Sequence, residues 1–156
     1  MAMAGKVGAD ESVLTLYRAN RPDATPGDVF AAIVTDRYFR MPMIGMLDAR
    51  RAAGGAPAWV YEFAWGTTHK GLGAAHAMEL PFVFDTLDAK GADWLTGPDA
   101  PQSLADEMHA TWVRFAASGD PGWAPYDVDR VVMTFDLGGA GEVADPRGDE
   151  RAIWML

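Results

Sequence analysis

One histidine of this chain lies in a turn of small residues, with a carboxylate three positions later. The segment is Gly71-Leu-Gly-Ala-Ala-His76-Ala-Met-Glu79, and an apolar run with one proline, Leu-Pro-Phe-Val-Phe, fills residues 80–84. Glycine and alanine leave space around the backbone, so the imidazole of His76 can meet groups from other parts of the fold. A lone histidine can also be structural, with its ring bonded to a backbone carbonyl.

The segment resembles the histidine loop of the type-B carboxylesterases, the cholinesterase-like branch of the α/β-hydrolases. That loop has a pattern close to Gly-Ala-x-His-x-x-Glu-Leu-Pro-Phe-Val-Phe. The resemblance implies that His76 is the general base of a serine-esterase triad. It also implies that Glu79 supports the loop, because the family's triad acid lies far upstream; a second catalytic acid is the alternative. Phe82 and Phe84, close to His76 in sequence, are predicted to touch a substrate.

The resemblance extends over nearly the whole chain, from about Leu14 to Trp154. It includes the strand-like Val60-Tyr-Glu-Phe-Ala-Trp65 and the signature Trp112-Val-Arg-Phe-Ala-Ala-Ser-Gly-Asp-Pro121. Further matching stretches are residues 17–22, 35–42, 123–133, 145–146 and 150–154. All of them match the C-terminal end of the family. The resemblance therefore implies an α/β fold, the C-terminal portion of an α/β-hydrolase doubly wound sheet with few strands and several helices. On this resemblance, residues 1–156 are expected to form a single partial domain.

The chain contains no Gly-x-Ser-x-Gly nucleophile elbow. In α/β-hydrolases the nucleophile and the acid precede the histidine, so both are expected upstream of Met1. The chain has three serines, and none follows the strand-to-helix pattern of an elbow. Ser12 is assigned to a connecting helix, Ser103 to a helix cap and Ser118 to a helix-ending turn. A chain with a base but no elbow and no oxyanion hole is expected to be nearly inert alone.

Composition predicts an ordinary globular chain and excludes several other classes. Of its 156 residues, 49% are hydrophobic, and 13 basic residues stand against 22 acidic ones. That acidic balance argues against nucleic acid and membrane as partners, since both favour basic patches. With no cysteine and no metal-ligand spacing among His69, His76 and His109, neither a metal nor another cofactor is expected. Without a signal-like start or a long apolar run, a cytoplasmic location is expected.

Local patterns predict a succession of helices and strands. Thr25-Pro26-Gly27-Asp28 is typical of a helix start, and that helix should run through Val34. A second helix is predicted from Asp36 to Ala53 with a kink at Pro42, and a third from Ser103 to Gly119. Trp112 and Phe115 should lie on the buried face of the third helix. Strands are predicted over residues 58–65 and 131–137, and a closing helix over residues 150–155.

Three functions from different classes remain open. The first is a carboxylic ester hydrolase acting on a small-molecule ester, in which this segment supplies His76 to a site completed by an upstream part. The second is a small stand-alone hydrolase that uses His76 with Ser103 or Ser118 and a carboxylate such as Glu79, Asp85 or Asp88. The third is a catalytically inert packing or interaction module. Because a strand at 58–65 without neighbours exposes an edge, pairing with an N-terminal esterase part or with a second copy is expected.

Overall fold

The computed structural model describes Gly5 and residues 7–155, and it has the predicted α/β composition. The α-helices are α1 (Glu11–Ala19), α2 (Pro26–Thr35), α3 (Met41–Ala52), α4 (Leu80–Val83), α5 (Asp93–Thr96), α6 (Gln102–Ser118) and α7 (Gly148–Trp154). The strands are β1 (Tyr61–Phe63), β2 (Val131–Asp136) and β3 (Gly139–Ala144). A π-helical turn covers Asp36–Arg40, and a 3-10 turn covers His69–Gly71.

The chain divides into two compact units with separate apolar clusters. The first unit comprises Met1–Ala56 together with Pro146–Leu156, and the second comprises Pro57–Asp145. The cluster of the first unit is formed by buried residues of α1 and α2, among them Val13, Tyr17 and Ile33. The sheet and the His76 turn belong to the second unit.

The first unit begins its helices with side-chain caps. Asp10 caps α1 by accepting hydrogen bonds from the N–H groups of Ser12 and Val13, so Ser12 lies in a helix as predicted. Thr25 caps α2 as predicted, with Pro26 in the first turn. The Thr25 hydroxyl accepts from the N–H of Asp28 and donates to its carboxylate, and this second bond lowers the pKa of Asp28. The Asp28 carboxylate also accepts from the N–H of Thr25 at 2.9 Å, so the pair satisfies two N–H groups that would otherwise be unpaired.

The predicted cap at Ser103 is wrong. Ser103 lies inside the first turn of α6, whose N-cap is Pro101, and no side chain caps this helix.

Since Thr25 caps a helix and Ser103 does not, we expect Thr25→Ala to lower the free energy of unfolding by about 1 kcal/mol, the usual value of a threonine cap. Ser103→Ala is the matched control and should change it by less than about 0.5 kcal/mol. Urea unfolding of both variants measures the difference, and equal losses would contradict the corrected assignment.

Pro42 acts on the helix in front of it. The chain remains helical from Pro26 to Ala52, but it widens into the π-turn at Asp36–Arg40, where the N–H of Met41 bonds the carbonyl of Asp36. Proline has no N–H and its ring crowds the carbonyl four residues earlier, so a wider turn relieves that contact. The predicted interruption at Pro42 thus takes the form of a π-turn. Gly54 (φ +68°) follows the end of α3.

A buried polar network fastens α7 to α1 and to the π-turn within the first unit. Glu150 is fully buried and receives two hydrogen bonds from Arg21, the longer of 2.9 Å. Asp36 is also buried and accepts from Arg40 at 2.8 and 3.0 Å and from the Tyr17 hydroxyl. Burial, and then the hydrogen bond to Asp36, raise the pKa of Tyr17. Each buried charge therefore has a charged partner, as a folded interior requires.

The sheet of the second unit has the strand order β1-β2-β3. β1 pairs with β2 in parallel, with Tyr61 opposite Met133, and β2 pairs with β3 in antiparallel fashion. β2 ends one residue before the predicted limit. β1 is shorter than the predicted strand over residues 58–65, although backbone bonds at Val60 and Ala64 extend its contact with β2. β3 was not predicted, because its glycine-rich segment has low strand propensity.

Helix α6 packs on β2 and α4, but its predicted inner face is only partly correct. Leu104, Met108 and Thr111 are buried. Trp112 and Phe115 do contact the β1 segment, through edge-on ring pairs with Tyr61 and Trp59, yet each is 40% exposed. The prediction that both are largely buried is therefore wrong. The helix is placed as predicted, but among the described residues nothing covers this flank.

Candidate active site

The His76 turn follows the carboxyl end of β1, the edge of a parallel sheet where binding sites of α/β folds usually lie. The chain leaves β1 through Ala64 and Trp65, whose N–H groups both bond the carbonyl of Phe135. Thr67 and Gly73 then pair through two backbone hydrogen bonds of 3.2 Å. This bridge closes a small loop around the 3-10 turn His69–Gly71, and the chain enters the His76 turn from Gly73.

The His76 turn holds its histidine at the surface. His76 is exposed, whereas Met78 two residues later is fully buried. Ala77 between them has φ +66°, a left-handed conformation that alanine rarely adopts. The N–H of Met78 bonds the carbonyl of Ala75, and the N–H of Leu80 bonds that of Ala77. The anchored methionine and the strained alanine together fix the side on which the imidazole leaves the chain.

The two phenylalanines after the turn have opposite environments. Phe82 is fully buried, and its ring lies 5.1 Å from that of Phe63 and 5.2 Å from that of Trp65. Phe84 is 65% exposed. Phe82 therefore serves the core, since an enclosed ring has no surface to offer a substrate, and contact with substrate stays a prediction only for Phe84.

Glu79 is partly buried and supports the turn through its backbone. Its carbonyl accepts from the N–H groups of Phe82 and Val83 at the start of α4. Burial raises the pKa of the Tyr61 hydroxyl, and the negative charge of Glu79 adds to that shift. Within Gly5 and residues 7–155, no hydrogen bond or ion pair joins Glu79 to His76.

The serines considered as nucleophiles are not joined to His76. The Ser118 hydroxyl donates to the carbonyl of Arg114 at 2.8 Å and accepts from the N–H of Asp120, so it completes the end of α6. Asp85 accepts from the amide of Gln102 at 2.6 Å. Among the described side chains, no hydrogen bond connects His76 with Ser103, Ser118, Asp85 or Asp88. In the described part of the chain, the exposed imidazole of His76 therefore has no serine hydroxyl bonded to it.

The other two histidines have packing roles. His109 on α6 shares a 3.0 Å hydrogen bond between its Nδ1 and the carbonyl of Val83, which ties α6 to α4. His69 is partly buried against Gly97, and its Nε2 is enclosed without a partner among the described residues. Over Gly5 and residues 7–155, no group of three acidic or histidine side chains is arranged to hold a metal ion.

Gly97 supports the loop that precedes His76, and sequence reasoning missed it. Its φ is +80°, and a Cβ at this position would lie 2.9 Å from the Cβ of His69 and 3.2 Å from Oγ1 of Thr67.

We expect Gly97→Ala to lower the free energy of unfolding by about 1–3 kcal/mol, because both the backbone conformation and the contact oppose a side chain. Gly138→Ala is the control, since a Cβ there meets nothing within 4 Å. Thermal unfolding measures both, and an unchanged Gly97→Ala midpoint would contradict the close approach.

The family model of the carboxylesterases matches residues 8–135 of this chain. The chain belongs to the carboxylesterase family. Phenmedipham hydrolase of Pseudarthrobacter oxydans is 30% identical over 109 residues, which cover 67% of this chain and 22% of the relative. The para-nitrobenzyl esterase of Bacillus subtilis is 32% identical over 93 residues, which cover 57% of this chain and 18% of that protein.

A solved esterase structure has the same fold as this member of the carboxylesterase family. It is an esterase from Clostridium hathewayi described as hydrolysing aliphatic aromatic polyesters. The TM-score is 0.68 at 21% identity, and the match covers 93% of this chain and 29% of the other. This chain thus spans about a fifth of the length of the curated relatives it matches. None of its described helices has the length and apolar character needed to cross a bilayer.

Proposed function

We propose that this chain is part of a carboxylic ester hydrolase and supplies the catalytic histidine, His76, of its serine triad. The observation that carries the proposal is the exposed His76, held by Met78 and Ala77 in the connection that follows the carboxyl end of the parallel strand β1. Membership of the carboxylesterase family supports ester hydrolysis as the reaction. In this proposal the sheet of the second unit is the end of a doubly wound sheet whose other strands belong to an upstream part.

The chemistry assigned to His76 is proton transfer in both halves of the reaction. Its imidazole takes the proton of the serine hydroxyl as the serine oxygen forms a bond to the ester carbonyl carbon. The same proton then passes to the leaving alkoxide, so an alcohol departs and an acyl-serine remains. In the second half His76 takes a proton from water, hydroxide adds to the acyl carbon, and the serine oxygen recovers the proton as the acid leaves.

The serine, the triad acid and the oxyanion-hole donors come from the upstream part in this proposal. Loss of one oxyanion donor alone removes roughly 3–4 kcal/mol of transition-state stabilisation, so this chain by itself should hydrolyse esters very poorly. The Ser118 hydroxyl both donates to a backbone carbonyl and accepts from a backbone N–H. These bonds favour a nucleophile in the upstream part over a stand-alone hydrolase that uses Ser118. Phe84 lies at the C-terminal cap of α4, and its ring is exposed. It is the residue that we propose contacts a small-molecule ester.

The test uses an organophosphonate serine probe and a chromogenic ester. The full chain is assayed alone, and again after co-expression with phenmedipham hydrolase from which the segment matched by this chain has been removed. We expect labelling and hydrolysis only in the co-expressed sample, with the label on the serine of the partner. Labelling of Ser103 or Ser118 in the chain alone would instead establish the stand-alone hydrolase, and no labelling in either sample would leave the inert module as the function.

A further inference from the structure

An apolar groove lies within the second unit, between helix α6 and the chain that enters and forms β1. Its volume is about 300 Å³, which is the lower end of the range for sites that bind small molecules. Its lining is mainly aromatic, with the rings of Trp59, Tyr61, Trp112, Phe115 and Trp123. None of the described residues that line it carries a charged side chain. The groove therefore has the size and the apolar lining of a small-molecule site.

The rings that line the groove hold one another in place. Trp59 meets Phe115 edge-on with 5.7 Å between the ring centres, and Tyr61 meets Trp112 edge-on at 5.9 Å. The indole N–H of Trp59 also donates to the carbonyl of Trp123 at 3.0 Å. Each ring pair joins one residue of the β1 segment to one residue of α6, so the two walls are fixed relative to each other. A groove that is already formed loses little conformational entropy when a molecule binds.

Thr111 adds a polar group without a partner to this apolar lining. The residue lines the groove and is only 8% exposed. Its hydroxyl makes no hydrogen bond to any described residue, whereas the hydroxyl of Ser118 on the same helix donates to a backbone carbonyl. Unlike the Nε1 of Trp123, the Thr111 hydroxyl is not fully enclosed, so a partner can reach it from the groove. A buried hydroxyl without a hydrogen bond is unfavourable, and a bound molecule would supply that bond.

We propose that this groove is a binding site for an uncharged aromatic molecule with one hydrogen-bonding group, such as a phenol. The aromatic ring of the molecule lies between the two walls, and its hydroxyl group shares a hydrogen bond with the hydroxyl of Thr111. A cavity of about 150 Å³ already holds one benzene ring, so the groove is large enough for a substituted phenol. His76 does not line the groove, so the proposal is independent of the reaction assigned to His76.

The charges of the chain favour a neutral aromatic ligand. Because no charged side chain lines the groove among the described residues, a bound ion would lose its hydration without gaining an ionic partner. The net charge of −9 opposes an anion further. An aromatic ring is favoured over an aliphatic one, because edge-to-face and stacked contacts with the surrounding rings add to the burial of apolar surface.

The experiment is isothermal titration calorimetry of the full chain at neutral pH with p-cresol, toluene and 4-methylbenzoate. These probes have the same methylated ring and differ in the group that would meet Thr111. We expect p-cresol to bind with a single molecule per chain. Toluene should bind at least about threefold more weakly, because it lacks the hydroxyl group. The anion 4-methylbenzoate should bind at least about tenfold more weakly, because its charge has no partner in the groove.

Three variants separate the hydroxyl group from the rings. Thr111→Val keeps the shape of the side chain, so it should weaken p-cresol about fivefold and change toluene by less than about twofold. Trp112→Ala removes part of one wall and should weaken both probes at least about tenfold. Val113→Ala is the control: Val113 is 54% exposed on the same helix but does not line the groove, and both affinities should stay within about twofold. Melting temperatures show that each variant is folded before it is titrated.

Three outcomes would overturn the proposal. The first is that p-cresol does not bind, and the second is that Thr111→Val leaves its affinity unchanged or weakens toluene equally. The third is that a protein surface occupies the groove instead. Sedimentation would show this as a dimer of the chain that Trp112→Ala dissociates, or calorimetry as a complex with the truncated phenmedipham hydrolase that no longer binds p-cresol.

Discussion

His76→Ala in the co-expressed esterase is expected to lower kcat by roughly 10⁴-fold or more, because the members of a triad act as a unit. Without the imidazole, neither the serine proton nor the water proton has an acceptor. The free energy of unfolding should change little, because His76 is exposed and its turn is anchored by Met78 and the backbone bonds of its neighbours. Initial rates on a chromogenic ester, with protein concentration corrected by active-serine titration, measure the effect.

His109→Gln provides the matched control for this loss. It also removes an imidazole from the second unit, but this ring is bonded to the carbonyl of Val83 and takes no part in the proposed reaction. Its kcat should stay within about threefold of the parent, with a modest loss of stability of about 1 kcal/mol from the lost hydrogen bond. Near-normal turnover by a folded His76→Ala protein would refute the assignment of His76 as the base.

The parts of the fold with local signals were predictable from the sequence. Helix α2 begins where Thr25, Pro26 and Asp28 set a cap and a fixed φ, and these residues contact one another in the folded chain. Strand β2 is a six-residue run rich in β-branched and apolar residues, which favour a strand, and its limits were predicted to within one residue. In both cases the determining interactions lie within a few positions of sequence, so no knowledge of the tertiary structure was needed.

The parts that depend on neighbours were less predictable. β3 contains Gly139 and Gly141, and it becomes a strand because β2 supplies its hydrogen-bond partners across a two-residue turn. Trp112 and Phe115 follow the helical period expected of a buried face, yet burial also requires something on the other side. The period of apolar residues predicts which face of α6 is apolar, but it does not predict whether another element of the fold covers that face.

The candidate site also contains features that were predictable from the sequence and features that were not. The turn around His76 was found because its small residues and its family pattern are contiguous. The role of Gly97 was not found, because it depends on a contact with His69 that is distant in sequence. Phe82 and Phe84 have identical side chains two positions apart, so sequence alone could not separate the core ring from the exposed one.

Phe82→Ala should therefore be one of the most destabilising single changes in the second unit. Phe82 is fully buried and packs against the rings of Phe63 and Trp65, so its removal leaves a cavity at the base of the His76 turn. A buried phenylalanine truncated to alanine costs about 3–5 kcal/mol through lost apolar contacts and the cavity. Urea unfolding of the chain, followed through tryptophan fluorescence, measures this loss.

Phe84→Ala is the control that separates packing from substrate contact. Because Phe84 is 65% exposed, its removal should change the free energy of unfolding by less than about 0.5–1 kcal/mol. In the co-expressed esterase, the same change should raise KM for an aromatic ester, since a ring near the site contributes binding in the ground state and transition state alike. Equal destabilisation by the two alanine variants would contradict their different burial. An unchanged KM in Phe84→Ala would remove Phe84 from the substrate site and leave the geometry of His76 as the remaining support for where the ester binds.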